Sequence, residues 1–114
     1  MTNRNIAVDF DGVLHKYSLG WHDGSIYDDP IEGVDEALAE LSKRYRVIVF
    51  TTRADTDDRE QEVWGWLEKH DLAQYVSVVS ACKPPAMFYI DDRAIRHVDW
   101  TQTLREISQY EAEA

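Results

Sequence analysis

The chain has 114 residues, of which 44% are hydrophobic, and this suits one compact domain over residues 1–114 rather than a disordered segment. Its formal net charge of -10 disfavours broad electrostatic capture of nucleic acid or of an anionic membrane. Cys82 is the single cysteine, which excludes an internal disulfide, and we expect it to be a small buried residue. Without a signal-peptide pattern or an apolar run of membrane-spanning length, we expect a soluble cytoplasmic protein.

The first predicted strand covers residues 5–9, and an irregular, aromatic-rich insertion follows it. Asp23-Gly24 is a typical hairpin dipeptide, so we expect a hairpin-like flap over residues 12–28. Two polar side chains in this flap, His15 and Lys16, are open to two interpretations, as substrate contacts or as solvated residues.

The start of the first helix is well marked in the sequence. Asp29 is its predicted N-cap, Pro30 occupies the first helical position and Glu32 closes a capping box. The apolar positions that follow repeat at helical spacing, and they are Ile31, Val34, Leu38 and Leu41.

A short β-branched run at residues 46–51 predicts a fully buried second strand. The next helix is predicted from about residue 57 to residue 70. Three of its side chains should face the sheet, namely Val63, Trp66 and Leu67.

The last third of the chain predicts more short strands and a final helix. The extended segments are residues 75–79 and 86–90, with a further edge strand at residues 95–98. Asp99 and Gln102 form a plausible capping box for the last helix, with Leu104 and Ile107 inward. Because apolar strands alternate with helices, the sequence predicts an α/β domain with a mainly parallel sheet.

Polar side chains follow the predicted strands at their carboxyl ends. They are Asp9 and Asp11 after the first strand, Thr51 and Thr52 after the second, Lys83 before the fourth, and Asp91 and Asp92 after it. An Asp-x-Asp-Gly segment alone is compatible with an ordinary turn. In an open α/β sheet, however, ligands bind outside the carboxyl ends of the strands, so four such segments predict one shared site.

This ordered set resembles the haloacid dehalogenase superfamily of phosphohydrolases. The residues that carry the resemblance are Asp9-Phe10-Asp11-Gly12-Val13, Thr51, Lys83 and Asp91-Asp92. The resemblance implies a Rossmann-like three-layer sandwich with a minimal or absent cap, similar to small phage-type members. It also implies a Mg²⁺-dependent phosphatase that hydrolyses a phosphomonoester through an aspartyl-phosphate.

The resemblance assigns four catalytic roles. Asp9 would be the nucleophile, and Asp11 would act as general acid and then as general base, which requires a raised pKa for the acid step. Thr51 would hydrogen-bond a phosphoryl oxygen. Lys83 would stabilise its negative charge.

The same resemblance implies a magnesium site. The expected ligands are the Asp9 side chain, the Asp11 backbone carbonyl, and Asp92 or Asp91. We favour Asp92 as the direct ligand, and Asp91 would then orient water or Lys83.

Arg53, Thr52 and Gly12 are the candidate substrate-binding residues. Arg53 could clamp a phosphate. It could equally pair with an acid from the list Asp55, Asp57 and Asp58. Trp21 and Tyr17 on the flap could stack on a substrate or pack the flap onto the sheet.

Two other functions compete with a general phosphatase. Residues 89–93 are similar to the phosphatase module of polynucleotide kinase-phosphatases, which favours a polynucleotide 3'-phosphatase, while the acidic composition opposes it. A phosphoacceptor receiver domain uses similar residues, but its lysine lies beyond its last acid, whereas Lys83 precedes Asp91. We therefore expect a phosphorylated small molecule as substrate, with a nucleic acid 3'-phosphate end as the second possibility. We expect no membrane partner. The natural substrate and the oligomeric state stay open.

Overall fold

Four strands and three α-helices make up the regular structure of residues 3–114. The structure, a computed structural model, describes residues 3–114, so residues 1 and 2 of the predicted domain lie outside the described residues. The elements are β1 (Asn5–Asp9), α1 (Val34–Ser42), β2 (Arg46–Phe50), α2 (Asp57–Lys69), β3 (Val78–Ser80), β4 (Phe88–Ile90) and α3 (Trp100–Glu113). Short 3₁₀ turns lie at Thr52–Ala54 and Ala73–Tyr75.

The strands form one sheet in the order β3-β2-β1-β4, and every pair is parallel. β1 and β4 are neighbours, with Ala7 opposite Tyr89, although the two strands are far apart in sequence. The α/β class and the parallel sheet are therefore confirmed. Because all four strands run the same way, their carboxyl ends meet at one edge of the sheet.

The main apolar core lies on one face of the sheet. Alternate strand residues share a face, and those on the core face are Ile6, Val8, Val47, Val49 and Val79. α1 contributes Val34 and Leu38 to this core, and α2 contributes Val63, Trp66 and Leu67, as predicted for α2. Both helices thus pack on the same face, which fixes β1 and β2 as rigid supports for the residues at their ends.

The predicted start of α1 is wrong. The helix begins at Val34 after Gly33, whose φ of 89° is left-handed, and not at Asp29 and Pro30. The segment before it pairs with the flap instead: Ile31 N–H donates to the Leu14 carbonyl, and Lys16 N–H donates to the Asp29 carbonyl. These long-range backbone bonds hold the segment extended and override its local capping signal.

The flap is not a hairpin. Residues 12–28 form consecutive turns, and isolated β-bridges connect His15 to Asp11 and to Pro30, but the segment contains no β-strand. The predicted turn at Asp23-Gly24 does exist, since Gly24 N–H donates to the Trp21 carbonyl at 2.8 Å. The edge strand predicted at residues 95–98 is absent from the described chain, and β3 begins three residues later than predicted.

α3 begins as predicted, but its orientation does not follow the prediction. Asp99 Oδ1 accepts a hydrogen bond from Gln102 N–H at 2.9 Å, which confirms the N-cap. Leu104 and Ile107 are exposed rather than inward, because α3 packs closely against none of the strands.

Cys82 is exposed, so its predicted burial is wrong. Within residues 3–114, no helix combines the length and apolarity needed to cross a bilayer.

Candidate active site

A cleft of about 590 Å³ opens at the carboxyl edge of the sheet. Six of the polar residues predicted next to the strand ends line it, namely Asp9, Asp11, Thr51, Thr52, Lys83 and Asp92. The flap closes one side with Tyr17 and Trp21, and Arg93 lies on another side. The parallel sheet thus brings together polar residues from four separate segments, as their positions next to the strand ends predicted.

Three carboxylates meet at the edge of this cleft, which Asp9 and Asp92 line and Asp91 does not. Asp9 ends β1, and Asp91 and Asp92 follow the neighbouring strand β4, so that one oxygen of each lies within 4.8 Å of the others. Asp91 Oδ1 accepts a hydrogen bond from Arg93 N–H at 2.8 Å, which orients that carboxylate through a backbone amide. Clustered carboxylate oxygens are the donor set that hard divalent cations prefer. We refer to these three residues as the acid cluster.

Burial and the neighbouring acids both raise the pKa of Asp9. Burial raises the pKa of Asp9 to about 6, with a hydrogen bond from Phe10 N–H opposing this and the charges of Asp91, Asp92 and Asp11 adding to it. The ionised form of Asp9 is therefore less favourable here than in an exposed aspartate. A bound cation would reverse that balance.

Gly12 lies against the acid cluster rather than in the open cleft. Its φ is +84°, and a Cβ at this position would overlap the Asp92 carboxylate. Its N–H donates to the His15 carbonyl at 2.9 Å. Gly12 therefore allows the loop after β1 to approach Asp92 closely, and it is not among the residues lining the cleft.

Asp11 has a different environment, because both of its oxygens accept hydrogen bonds. His15 Nδ1 lies 2.9 Å from Oδ1, and Arg53 Nε lies 2.8 Å from Oδ2. Burial alone would raise the pKa of Asp11, but the hydrogen bonds from His15 and Arg53 and the Arg53 charge lower it below its usual value. The expectation of a raised pKa at Asp11 is therefore wrong for this arrangement.

The contact of His15 with Asp11 was not predicted from the sequence. Its side chain is 0% exposed, so it is neither solvated nor free to contact substrate. The ring stacks on Phe10 at 5.5 Å between centroids and meets the Trp66 ring edge-on at 5.7 Å. The available signal was a histidine four residues after Asp11 within an aromatic-rich segment.

Arg53 is buried behind the cleft. Besides its bond to Asp11, its Nη1 donates to the Gly24 carbonyl at 2.9 Å, and Trp21 covers the guanidinium at 4.6 Å. Its Nη2 has no hydrogen-bond partner among the described residues. Arg53 forms no ion pair with the acids considered for it, Asp55, Asp57 and Asp58. In this structure it holds Asp11 and the flap instead of lining the cleft.

Thr51 and Lys83 line the cleft: Thr51 directly follows β2, and Lys83 lies in the loop between β3 and β4. Thr51 Oγ1 accepts a hydrogen bond from Arg53 N–H at 3.2 Å, which leaves the hydroxyl hydrogen available to a ligand. Lys83 Nζ lies 4.3 Å from the centre of the Tyr89 ring, and it forms no salt bridge within residues 3–114. Both groups can donate to an anion next to Asp9.

Comparison with family models, curated proteins and solved structures finds no match to this chain. The site must therefore be interpreted from its own chemistry. It combines a nucleophile-competent carboxylate, two further acids able to hold a cation, and a hydroxyl and an ammonium group able to bind an anion.

Proposed function

We propose that this chain is a Mg²⁺-dependent phosphatase of the haloacid dehalogenase type, which hydrolyses a phosphomonoester through an aspartyl-phosphate. The observation that carries the proposal is the meeting of Asp9, Asp91 and Asp92 at the edge of a cleft that Asp9 and Asp92 line together with Thr51 and Lys83. The parallel sheet is compatible with a Rossmann-like fold, and we extend this to a haloacid dehalogenase-like domain in which residues 12–28 replace a cap.

The acid cluster would hold the cation, and its unfavourable charge supports this assignment. Asp9, Asp91 and Asp92 supply three carboxylates, and we assign the Asp11 backbone carbonyl as a further ligand. When bound, Mg²⁺ would neutralise the cluster and draw negative charge from the phosphoryl oxygens.

Catalysis would proceed in two displacements. A carboxylate oxygen of Asp9 forms a bond to phosphorus while the bond from phosphorus to the leaving oxygen breaks. Water then attacks the same phosphorus, the bond to Asp9 breaks, and inorganic phosphate leaves. Thr51 and Lys83 would bind phosphoryl oxygens in both steps.

Asp11 would carry the proton in each displacement. It gives a proton to the leaving oxygen in the first step and takes one from the attacking water in the second. The doubly hydrogen-bonded carboxylate suits the second role directly, because its lowered pKa keeps it ionised. For the first role it must take up a proton before the leaving oxygen departs.

The open cleft leaves room for more than one substrate class. We propose a phosphorylated small molecule as the substrate. A polynucleotide 3'-phosphate end is the second candidate, because an exposed Arg93 and the Trp21 ring both line the cleft and could contact a neighbouring nucleotide. Comparing a 3'-phosphorylated oligonucleotide with a mononucleotide as substrate separates the two.

The central test is the removal of the nucleophile. Asp9→Asn should abolish hydrolysis of p-nitrophenyl phosphate in Mg²⁺, and EDTA should abolish wild-type activity. Asp58→Asn is the matched control, because it makes the same charge change in the exposed first turn of α2 and should retain activity. Equal activity in Asp9→Asn and in the wild type would reject the proposal.

A further inference from the structure

His15 has no part in the two displacements described above, although its side chain contacts Asp11, which carries the proton in both. A buried imidazole loses its hydration, so its two nitrogens need partners inside the protein. Both have one: Nδ1 lies 2.9 Å from Asp11 Oδ1, and Nε2 lies 3.0 Å from the backbone nitrogen of Asp28. The ring therefore connects the base of the flap to the proposed proton carrier.

The backbone partner fixes where the imidazole hydrogen lies. A peptide N–H can only donate, so the bond from Asp28 requires a lone pair on Nε2. The hydrogen must then be on Nδ1, where it points to Asp11. His15 thus presents a donor, and never an acceptor, to the Asp11 carboxylate.

The position of this donor is itself held from several sides. The Asp28 carbonyl accepts a hydrogen bond from Trp66 Nε1 at 2.8 Å, so the residue that contacts His15 is anchored to α2. Phe10 and Tyr27 pack against the imidazole, with ring centres 5.5 Å and 5.3 Å away. A ring confined in this way cannot rotate without breaking buried contacts.

We propose that His15 is a positioning residue, which fixes the Asp11 side chain in the orientation from which it exchanges a proton with the leaving oxygen and with water. The inference rests on the proposed phosphatase function. A histidine that only anchors the flap would affect stability, while a positioning residue also changes how strongly the rate depends on the leaving group. The dependence arises because a more basic leaving oxygen needs its proton more.

Two substitutions separate the two contacts of His15. In His15→Asn, the amide nitrogen is attached to Cγ and can replace Nδ1 as the donor to Asp11, while the contact with Asp28 is lost. In His15→Gln, the amide lies one atom further out and can accept from Asp28 N–H, while the donor to Asp11 is lost. Both variants should melt below the wild type, because each loses one buried hydrogen bond.

The readout is the ratio of kcat/KM for phenyl phosphate, which has the more basic leaving oxygen, to kcat/KM for p-nitrophenyl phosphate. We use kcat/KM because it reports the displacement of the leaving oxygen, whereas hydrolysis of the aspartyl-phosphate is common to both substrates. His15→Gln should lower this ratio by about tenfold or more, which is part of the 10²–10⁴-fold that a positioned acid supplies. His15→Asn should retain the wild-type ratio, as should Trp66→Phe, which loosens Asp28 without touching Asp11. A wild-type ratio in His15→Gln, or a lowered ratio in His15→Asn alone, would overturn the inference.

A measurement on the wild type covers the case in which the variants do not fold. A long-range ¹H–¹⁵N spectrum of the histidines should show His15 protonated at Nδ1 and unprotonated at Nε2, and a proton on Nε2 would overturn the inference. The two proposals fail separately. An inactive wild type, or an active Asp9→Asn, rejects the phosphatase and this inference with it, whereas an active wild type with an unchanged ratio in His15→Gln rejects only the inference.

Discussion

Asp9 and Asp11 lie two residues apart on either side of the buried Phe10, but they face two different regions of the molecule. Asp9 faces the acid cluster, where the neighbouring charges are negative and burial raises its pKa to about 6. Asp11 faces the base of the flap, where His15 and Arg53 donate to its oxygens and lower its pKa. One region has an excess of negative charge, and the other has its charge compensated by the protein itself.

This difference shows where an external cation is needed. A carboxylate that already accepts bonds from a guanidinium and an imidazole gains little from a metal ion, whereas three clustered carboxylates gain much. The Asp11 side chain is accordingly not part of the acid cluster. The following predictions test this contrast between the two regions, from the largest expected effect to the smallest.

Mg²⁺ should stabilise the folded protein through the acid cluster. At a free concentration of 100 times Kd, a ligand that binds only the folded state adds about 2.7 kcal/mol to the free energy of unfolding. Thermal melting with and without Mg²⁺ should therefore show a rise for the wild type and for Asp58→Asn, and a much smaller rise for Asp92→Asn. Equal rises in all three proteins would place the ion outside the acid cluster.

Gly12→Ala should weaken the same site without changing any carboxylate. A methyl group at Gly12 would overlap the Asp92 carboxylate and displace it from the acid cluster. Disturbing a group that orients a metal ligand typically lowers affinity or activity about 10- to 100-fold. Mg²⁺ titration followed by activity measures the change.

Gly20→Ala is the matched control for Gly12→Ala. Gly20 also has a positive φ of +66°, but a Cβ there would meet nothing within 4 Å. It should thus carry the same backbone strain, of about 1 kcal/mol, without the loss of Mg²⁺ affinity. Similar affinity losses in both variants would show that backbone strain alone explains the effect.

Removing the charge of Asp9 and removing the charge of Asp11 should change the free energy of unfolding of the metal-free protein in opposite directions at pH 7. Asp9→Asn removes a charge that its surroundings oppose, so it should raise the free energy of unfolding by about 1 kcal/mol, allowing for solvent at this partly exposed carboxylate. Asp11→Asn should lower it by about 1–2 kcal/mol, because its amide hydrogens would face the donors of His15 or Arg53. Urea unfolding in EDTA measures both. Two changes of the same sign would contradict the contrast.

The sequence was sufficient to predict the acid cluster and α2, for a geometric reason. In a parallel sheet, residues that follow the strands must gather at one edge, so Asp9, Thr51 and Asp92 could be placed together without side-chain detail. α2 carries its own N-cap in Thr56, which accepts from Arg59 N–H at 3.2 Å, and its apolar face packs on the adjacent strands. Local and long-range signals agree in both cases.

The surroundings of Asp11 at the base of the flap could not be predicted, because the residues that contact Asp11 are not marked by the local sequence. Arg53 lies 42 residues from Asp11, and nothing near Arg53 favours that acid over the closer Asp55. His15 looks like a polar loop residue until the aromatic rings around it are placed. The same limit explains the early start predicted for α1, since the capping signal at Asp29 competes with backbone bonds to the flap.

The smallest expected effect is a pH dependence with opposite sign at the two carboxylates. In the unfolded chain an aspartate loses its proton near its ordinary pKa of 3.8, whereas Asp9 in the folded protein does so at about 6. Between these two values the unfolded state binds fewer protons than the folded state, so the contribution of Asp9 to stability falls as pH rises. Above about pH 6 the contribution of Asp9 no longer changes. The advantage of Asp9→Asn over the wild type should consequently be absent below pH 4 and complete by pH 7.

For Asp11 the folded pKa lies below the unfolded value, so its contribution is present above the ordinary pKa and is lost as pH falls through the lowered folded value. The stability deficit of Asp11→Asn should thus be full at pH 7 and should shrink in acid, where the wild-type carboxylate also becomes protonated. Urea unfolding of the wild type and both variants from pH 3 to pH 7, in EDTA, measures the two curves. If Asp9→Asn and Asp11→Asn were both more stable than the wild type at pH 7, or both less stable, the flap would not compensate the charge of Asp11. The division of this strand end into two electrostatic regions would then be wrong.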